Sequence, residues 1–117
     1  MTLRQCYALL DGDYEGVLGR MRKESLVEKF VLKFLNDPSM DALRQGIAAK
    51  DRETAFRAAH TIKGVAQNLG FTELYGACSR LADELRESWS EEAAALARQV
   101  EAAYQKTAAA ILAYQEG

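Results

Sequence analysis

Between Asp51 and Leu69 the apolar residues Ala55, Ala58, Ala59, Ile62, Val65, Ala66 and Leu69 recur three and four positions apart, which gathers them on one face of an α-helix. A strand cannot collect that set on one side, because its side chains change face at every residue. Such a helix needs covering by other apolar helix faces. The rest of the chain is suited to supply them: Pro38 is its one proline, no β-branched or aromatic run alternates with period two, and Ala, Leu, Glu, Arg, Lys and Gln dominate. The expected fold class is all-α.

Punctuating residues divide the remainder. A short helix from Thr2 to Leu10 should stop at Asp11-Gly12-Asp13, with Gly12 as a left-handed terminus and Asp13 capping a second short helix from Tyr14 to about Met21. From Lys23 to Asn36, Leu26, Phe30 and Phe34 lie beside Val27, Val31 and Leu35, a wide stripe that reads as a core helix. Pro38 breaks the chain, and Asp37 or Ser39 can cap a helix from about Met40 to Lys50. Asp51 caps the helix that carries the opening stripe, and Gly70 ends it. Thr72 is the expected cap of a helix to about Ser88, with Leu74, Ala77, Cys78, Leu81 and Leu85 inward; Ser90 opens a long last one with Leu96, Val100, Ala103, Tyr104, Ala110 and Ile111. Helices of this length on short turns favour an antiparallel bundle, and 117 residues suit a single domain over 1–117.

Composition removes several function classes. A formal net charge of -2 provides no general positive field, so neither nucleic acid nor an anionic membrane surface is an expected partner. No apolar stretch approaches the ~18 residues of a membrane span, and the start of the chain lacks the pattern of a secretory signal, so a cytoplasmic location is expected. Cys6 and Cys78 fit neither a metal pair nor a disulfide framework and are expected to be reduced and without a role. One histidine, without HExxH or ExxH spacing, makes no metal site, and without a GxxxxGK[ST] loop the chain is not expected to be an ATP-using enzyme. The charges of Asp83, Glu84, Arg86, Glu87, Glu91, Glu92 and Arg98 read as solvated helix faces, and Trp89, Tyr104 and Tyr114 as core or boundary anchors.

His60 follows Ala59, about 100° round the helix axis from the buried stripe, and so stands beside the core and not in it. Its neighbours on the same face are Phe56, one turn before, and Lys63, Gly64 and Gln67 after it. An imidazole of ordinary basicity is largely neutral near physiological pH and can attack a phosphoryl donor through a ring nitrogen. Lys63 can neutralise the oxygens of a transferred phosphoryl group, and Gln67 can hydrogen-bond the ring or that group. Gly64 costs about 1 kcal/mol relative to Ala in mid-helix, and keeping a side chain out of the approach to His60 supplies a reason for it.

The run Ala58-Ala59-His60-Thr61-Ile62-Lys63-Gly64-Val65-Ala66-Gln67-Asn68-Leu69-Gly70 resembles the signature of histidine-containing phosphotransfer (HPt) domains of multistep phosphorelays: His-x-x-Lys-Gly, then Leu-Gly after a short gap. More weakly, Phe30 to Leu35 followed by Asp41-Ala42-Leu43 resembles that family's preceding helices. The resemblance implies a four-helix bundle core with one or two short additional N-terminal helices. It implies that His60 accepts a phosphoryl group from a receiver-domain aspartate and passes it to another receiver, with Lys63 stabilising the group and Gly64 giving clearance. Response-regulator receivers and a hybrid histidine kinase become the expected partners, the chain itself a monomeric phosphocarrier without its own cofactor, and Mg2+ is expected in the receiver. Many family members orient the imidazole with a Gln or Glu on the next helix, where this chain has Leu81-Ala82-Asp83, so that either Asp83, Ser79 or a water takes over that task or the ring is less constrained here. The rival expectation is a helical adaptor that binds signalling partners without being phosphorylated, through an apolar patch including Phe56 and Ile47.

Overall fold

The computed structural model, which describes all 117 residues, contains seven α-helices and no strand: α1 (Leu3–Leu9), α2 (Tyr14–Met21), α3 (Glu24–Phe34), α4 (Ser39–Ala48), α5 (Arg52–Leu69), α6 (Thr72–Glu84) and α7 (Ala93–Glu116). Helices α4 to α7 form the four-helix bundle. Each packs along the next, and α4 also meets α7. Only residues 49–51 separate α4 from α5, and only Gly70 and Phe71 separate α5 from α6. Links that short leave no room for a parallel return, so these neighbours run antiparallel. One continuous core takes side chains from every helix, with Tyr7, Phe71, Leu43, Leu74, Leu81 and Ile111 among its largest fully buried members.

The stripe that defined α5 is buried as expected at Ala55, Ala58, Ala59, Ile62, Ala66 and Leu69, whereas Val65 is half-buried at its margin. Small residues bring α4 close: a Cβ on Gly46 would come within 2.7 Å of the Ala55 backbone nitrogen. On the far side of α4, Arg44 grips both carboxylate oxygens of Glu101 on α7, at 2.8 and 2.7 Å, and Asp41 at 2.8 Å. Asp51 caps α5 by accepting from the Thr54 amide at 3.2 Å and hydroxyl at 2.7 Å.

Helices α1 and α2 are the two short additional ones, and α3 lies over the bundle against α5 and α7. The wide stripe of α3 is only partly covered. Val27, Val31 and Phe34 are buried, but Leu26 and Phe30 are 37% and 40% exposed, because the contacts of α3 with α2, α5 and α7 leave its outer face in solvent.

Four expected boundaries move. Asp11, not Gly12, takes the left-handed conformation after α1, at φ 56°. Thr72 is the first residue of α6 and Phe71 its cap, and α6 ends at Glu84 and not near Ser88. The last helix starts at Ala93; Ser90 instead accepts from the Glu92 amide at 3.1 Å, holding the turn before it. Asp13 does cap α2, accepting from the Gly16 amide at 3.0 Å.

The α1–α2 turn is clamped on the end of α5. The Tyr7 hydroxyl donates to the Leu69 carbonyl at 2.6 Å and the Asp13 amide to the Gly70 carbonyl at 2.8 Å. From α2, the Arg20 guanidinium donates to the Gln67 and Asn68 carbonyls at 3.1 and 2.9 Å, supplying partners to the open end of α5. Gly12 is required by the closeness of this contact: a Cβ there would lie 2.6 Å from Leu10 Cδ1 and 2.8 Å from the Gly70 carbonyl oxygen. Gly12→Ala should therefore destabilise the fold by about 1–3 kcal/mol, as overpacking does, seen as a lower melting temperature; an unchanged one would contradict the close fit.

Candidate functional site

Helix α5 presents Arg52, Phe56 and His60 in a row, one turn apart, followed by Lys63, Gly64 and Gln67. Because the alanine stripe takes the inner face, His60, Gly64 and Gln67 are exposed and Lys63 is half-buried. All four residues expected at the site thus fall on one accessible strip of one helix. Side chains on a helix lean toward its N-terminus, so Lys63 and Gln67 lean back toward His60.

The imidazole stacks on the Phe56 ring, with centroids 6.0 Å apart and planes 18° from parallel. Phe56 is itself flanked by two cations, the guanidinium carbons of Arg52 and Arg86 each lying 5.8 Å from its centroid. Lys63 extends across to α6, where its ammonium stands 5.9 Å from the centre of the Tyr75 ring. Lys63 makes no ion pair, whereas Arg86 is paired with Asp83 at 2.9 Å. The ammonium is therefore not neutralised by a carboxylate and is available to an incoming anion.

Gly64 has open space around it: a Cβ built there meets nothing within 4 Å. Packing does not require this glycine, which distinguishes it from Gly12 and Gly46. What it leaves is bare helix backbone one turn beyond His60, over which a bulky partner can approach.

Neither Asp83 nor Ser79 hydrogen-bonds the His60 ring. Asp83 bonds Arg86, Ala82 is buried and apolar, and the buried Ser79 hydroxyl has no hydrogen-bond partner. Ile47 and Phe56, the patch expected for an adaptor, are both half-buried. Cys6 and Cys78 are buried free thiols, and burial pushes them up to about 11 and about 12, which keeps them protonated and unreactive. No helix is long and apolar enough to cross a membrane.

The Hpt-domain family model matches residues 33–110, two thirds of the chain. The chain belongs to the Hpt-domain family. The match holds α4, α5, α6 and most of α7, with every site residue named above, and leaves α1, α2 and nearly all of α3 outside it. Neither the curated proteins nor the solved structures include a match. Hpt domains are phosphocarrier modules of phosphorelays, acting by histidine phosphotransfer with receiver domains and kinases, and are not enzymes of the ordinary kind.

The Phe56–His60 neighbourhood is legible in the four-residue spacing, whereas Tyr75 on α6 and Arg86 just past its end are not, since the antiparallel pairing of α5 with α6 brings them in. Arg52 carries a local signal, standing four residues before Phe56. If Gly64 is free of packing duties, Gly64→Ala should raise stability by about 0.5–1 kcal/mol through helix propensity alone. A higher melting temperature is the expected result, and a lower one would reveal a structural need for the glycine.

Proposed function

We propose that this Hpt domain, spanning residues 1–117, accepts a phosphoryl group on His60 from the aspartyl phosphate of one receiver domain and delivers it to another. The observation that supports this most is the exposed imidazole beside an ammonium free of any ion pair and a glycine that packing does not explain. The lone pair of the outer ring nitrogen, Nε2, forms a bond to phosphorus as the phosphorus–oxygen bond to the aspartyl carboxyl breaks. The bonding electrons leave with the carboxylate, and the proton on Nδ1 stays with the ring. Return of the group to a second receiver is the same exchange reversed.

Lys63 would neutralise the phosphoryl oxygens, Gly64 would clear the path of the receiver's edge, and Gln67 would offer an amide hydrogen bond to the bound group. The strip around His60 carries cations and an amide and not carboxylates, so Mg2+ is assigned to the receiver and the chain needs no cofactor of its own. Receivers and a hybrid histidine kinase are the proposed partners, acting on a cytoplasmic monomer.

Incubation with receiver domains phosphorylated by acetyl phosphate should leave an acid-labile, base-stable phosphate on the wild-type chain and none on His60→Gln. A wild type that stays unlabelled across a panel of receivers would overturn the proposal and favour a non-phosphorylated adaptor. Lys63→Ala should slow transfer or shorten the life of the phosphohistidine, by about tenfold if the lost charge-assisted contact contributes ~1.4 kcal/mol. Gly64→Leu should keep its helix content and still slow transfer; rates equal to wild type in either variant would remove that residue's role.

A further inference from the structure

Resting on the phosphotransfer proposal above, we infer that Phe56, which has the guanidinium groups of Arg52 and Arg86 close by, is the positioning residue that orients the His60 imidazole. No side chain on α6 hydrogen-bonds the imidazole. Asp83 is committed to Arg86, the neighbouring residue is the buried Ala82, and Ser79 reaches no partner. The stacked Phe56 ring is the aromatic surface against the imidazole.

A stacked ring orients by a different route from an acceptor. It takes up one face of the imidazole and leaves both edge nitrogens open, so rotation of the ring is restricted while Nε2 stays available to phosphorus. The support has to be rigid for this to work, and here it is tied down at both ends. The Arg52 guanidinium donates to the Leu85 and Arg86 carbonyls at 2.8 and 3.0 Å, occupying the open end of α6. The Arg86 guanidinium is held by Asp83. Both cations then lie at 5.8 Å from the Phe56 centroid, attracted by its electron-rich face. The end of α6 thereby fixes the side-chain row of α5, and His60 is its last member.

An acceptor would also fix which nitrogen carries the proton, and a stack does not. The imidazole should therefore be constrained in direction and mixed in tautomer.

The test compares the full chain with Phe56→Leu, which keeps apolar bulk and loses the ring, and Phe56→Tyr, which keeps the ring. In proton NMR of the unphosphorylated protein, the carbon-bound ring protons of His60 should show a ring-current displacement in wild type and in Phe56→Tyr, absent in Phe56→Leu. In transfer from a receiver domain phosphorylated with acetyl phosphate, Phe56→Leu should lower the maximal rate about three- to tenfold with KM for the receiver unchanged, and Phe56→Tyr should restore it. Equal His60 shifts in all three proteins overturn the inference. So does a rise in KM without loss of maximal rate, which would make Phe56 a docking residue. If no receiver labels even the wild type, the phosphotransfer proposal fails, while the proton shifts still decide whether Phe56 holds the ring.

Discussion

Burial of the alanine-rich face of α5 is the constraint on which the remaining structure depends. Ala55, Ala58, Ala59 and Ala66 are small enough for neighbouring helices to close on the backbone itself, and α4, α6 and α3 all meet α5. Gly46 shows how close the approach is, with no room for a Cβ against Ala55. Once that face is inside, helical geometry leaves the position after Ala59 outside, and it is a histidine. The exposure of His60 is thus a by-product of core packing, and the same rigid helix sets its spacing to Phe56, Lys63 and Gly64.

Both ends of α5 are secured by long-range contacts. At the C-terminal end, Gly70 turns the chain in the left-handed conformation at φ 70°, and Tyr7, Asp13 and Arg20 from the first two helices bind its last carbonyls. At the N-terminal end, Asp51 caps the helix and Arg52 crosses to the end of α6. The short N-terminal helices, which lie outside the family match, therefore serve the helix that carries the histidine, by closing its open end and packing Tyr7 against Phe71.

Much of this was legible in the sequence where the cause is local. The period of the stripe located α5, Asp13 and Asp51 announced themselves as caps, and the offset of His60 from the stripe placed it at the surface. Features that depend on a partner element were not legible. The stripe of α3 has enough apolar residues for a core helix, yet Leu26 and Phe30 stay partly exposed because α2, α5 and α7 together leave the outer face of α3 in solvent. Gly12 suggests a left-handed turn by residue type, but tertiary crowding against Gly70 is its reason, and Asp11 absorbs the strained φ. Thr72 and Ser90 have cap chemistry, while the Phe71 side chain is drawn into the core and the α6–α7 turn is longer than punctuation alone implies. At the site, the flanking of Phe56 by Arg86 rests on the pairing of α5 with α6, which no local pattern records.

Phosphotransfer by this chain comes down to one atom, the outer nitrogen of His60. Phosphorus NMR of the chain, labelled with a magnetic nitrogen isotope in histidine and charged by a phosphorylated receiver, tests it most directly. The expected result is a phosphoramidate resonance that shows scalar coupling to Nε2 and disappears when a second receiver is added. A phosphorus signal from an oxygen ester, or none in the presence of competent receivers, would contradict it.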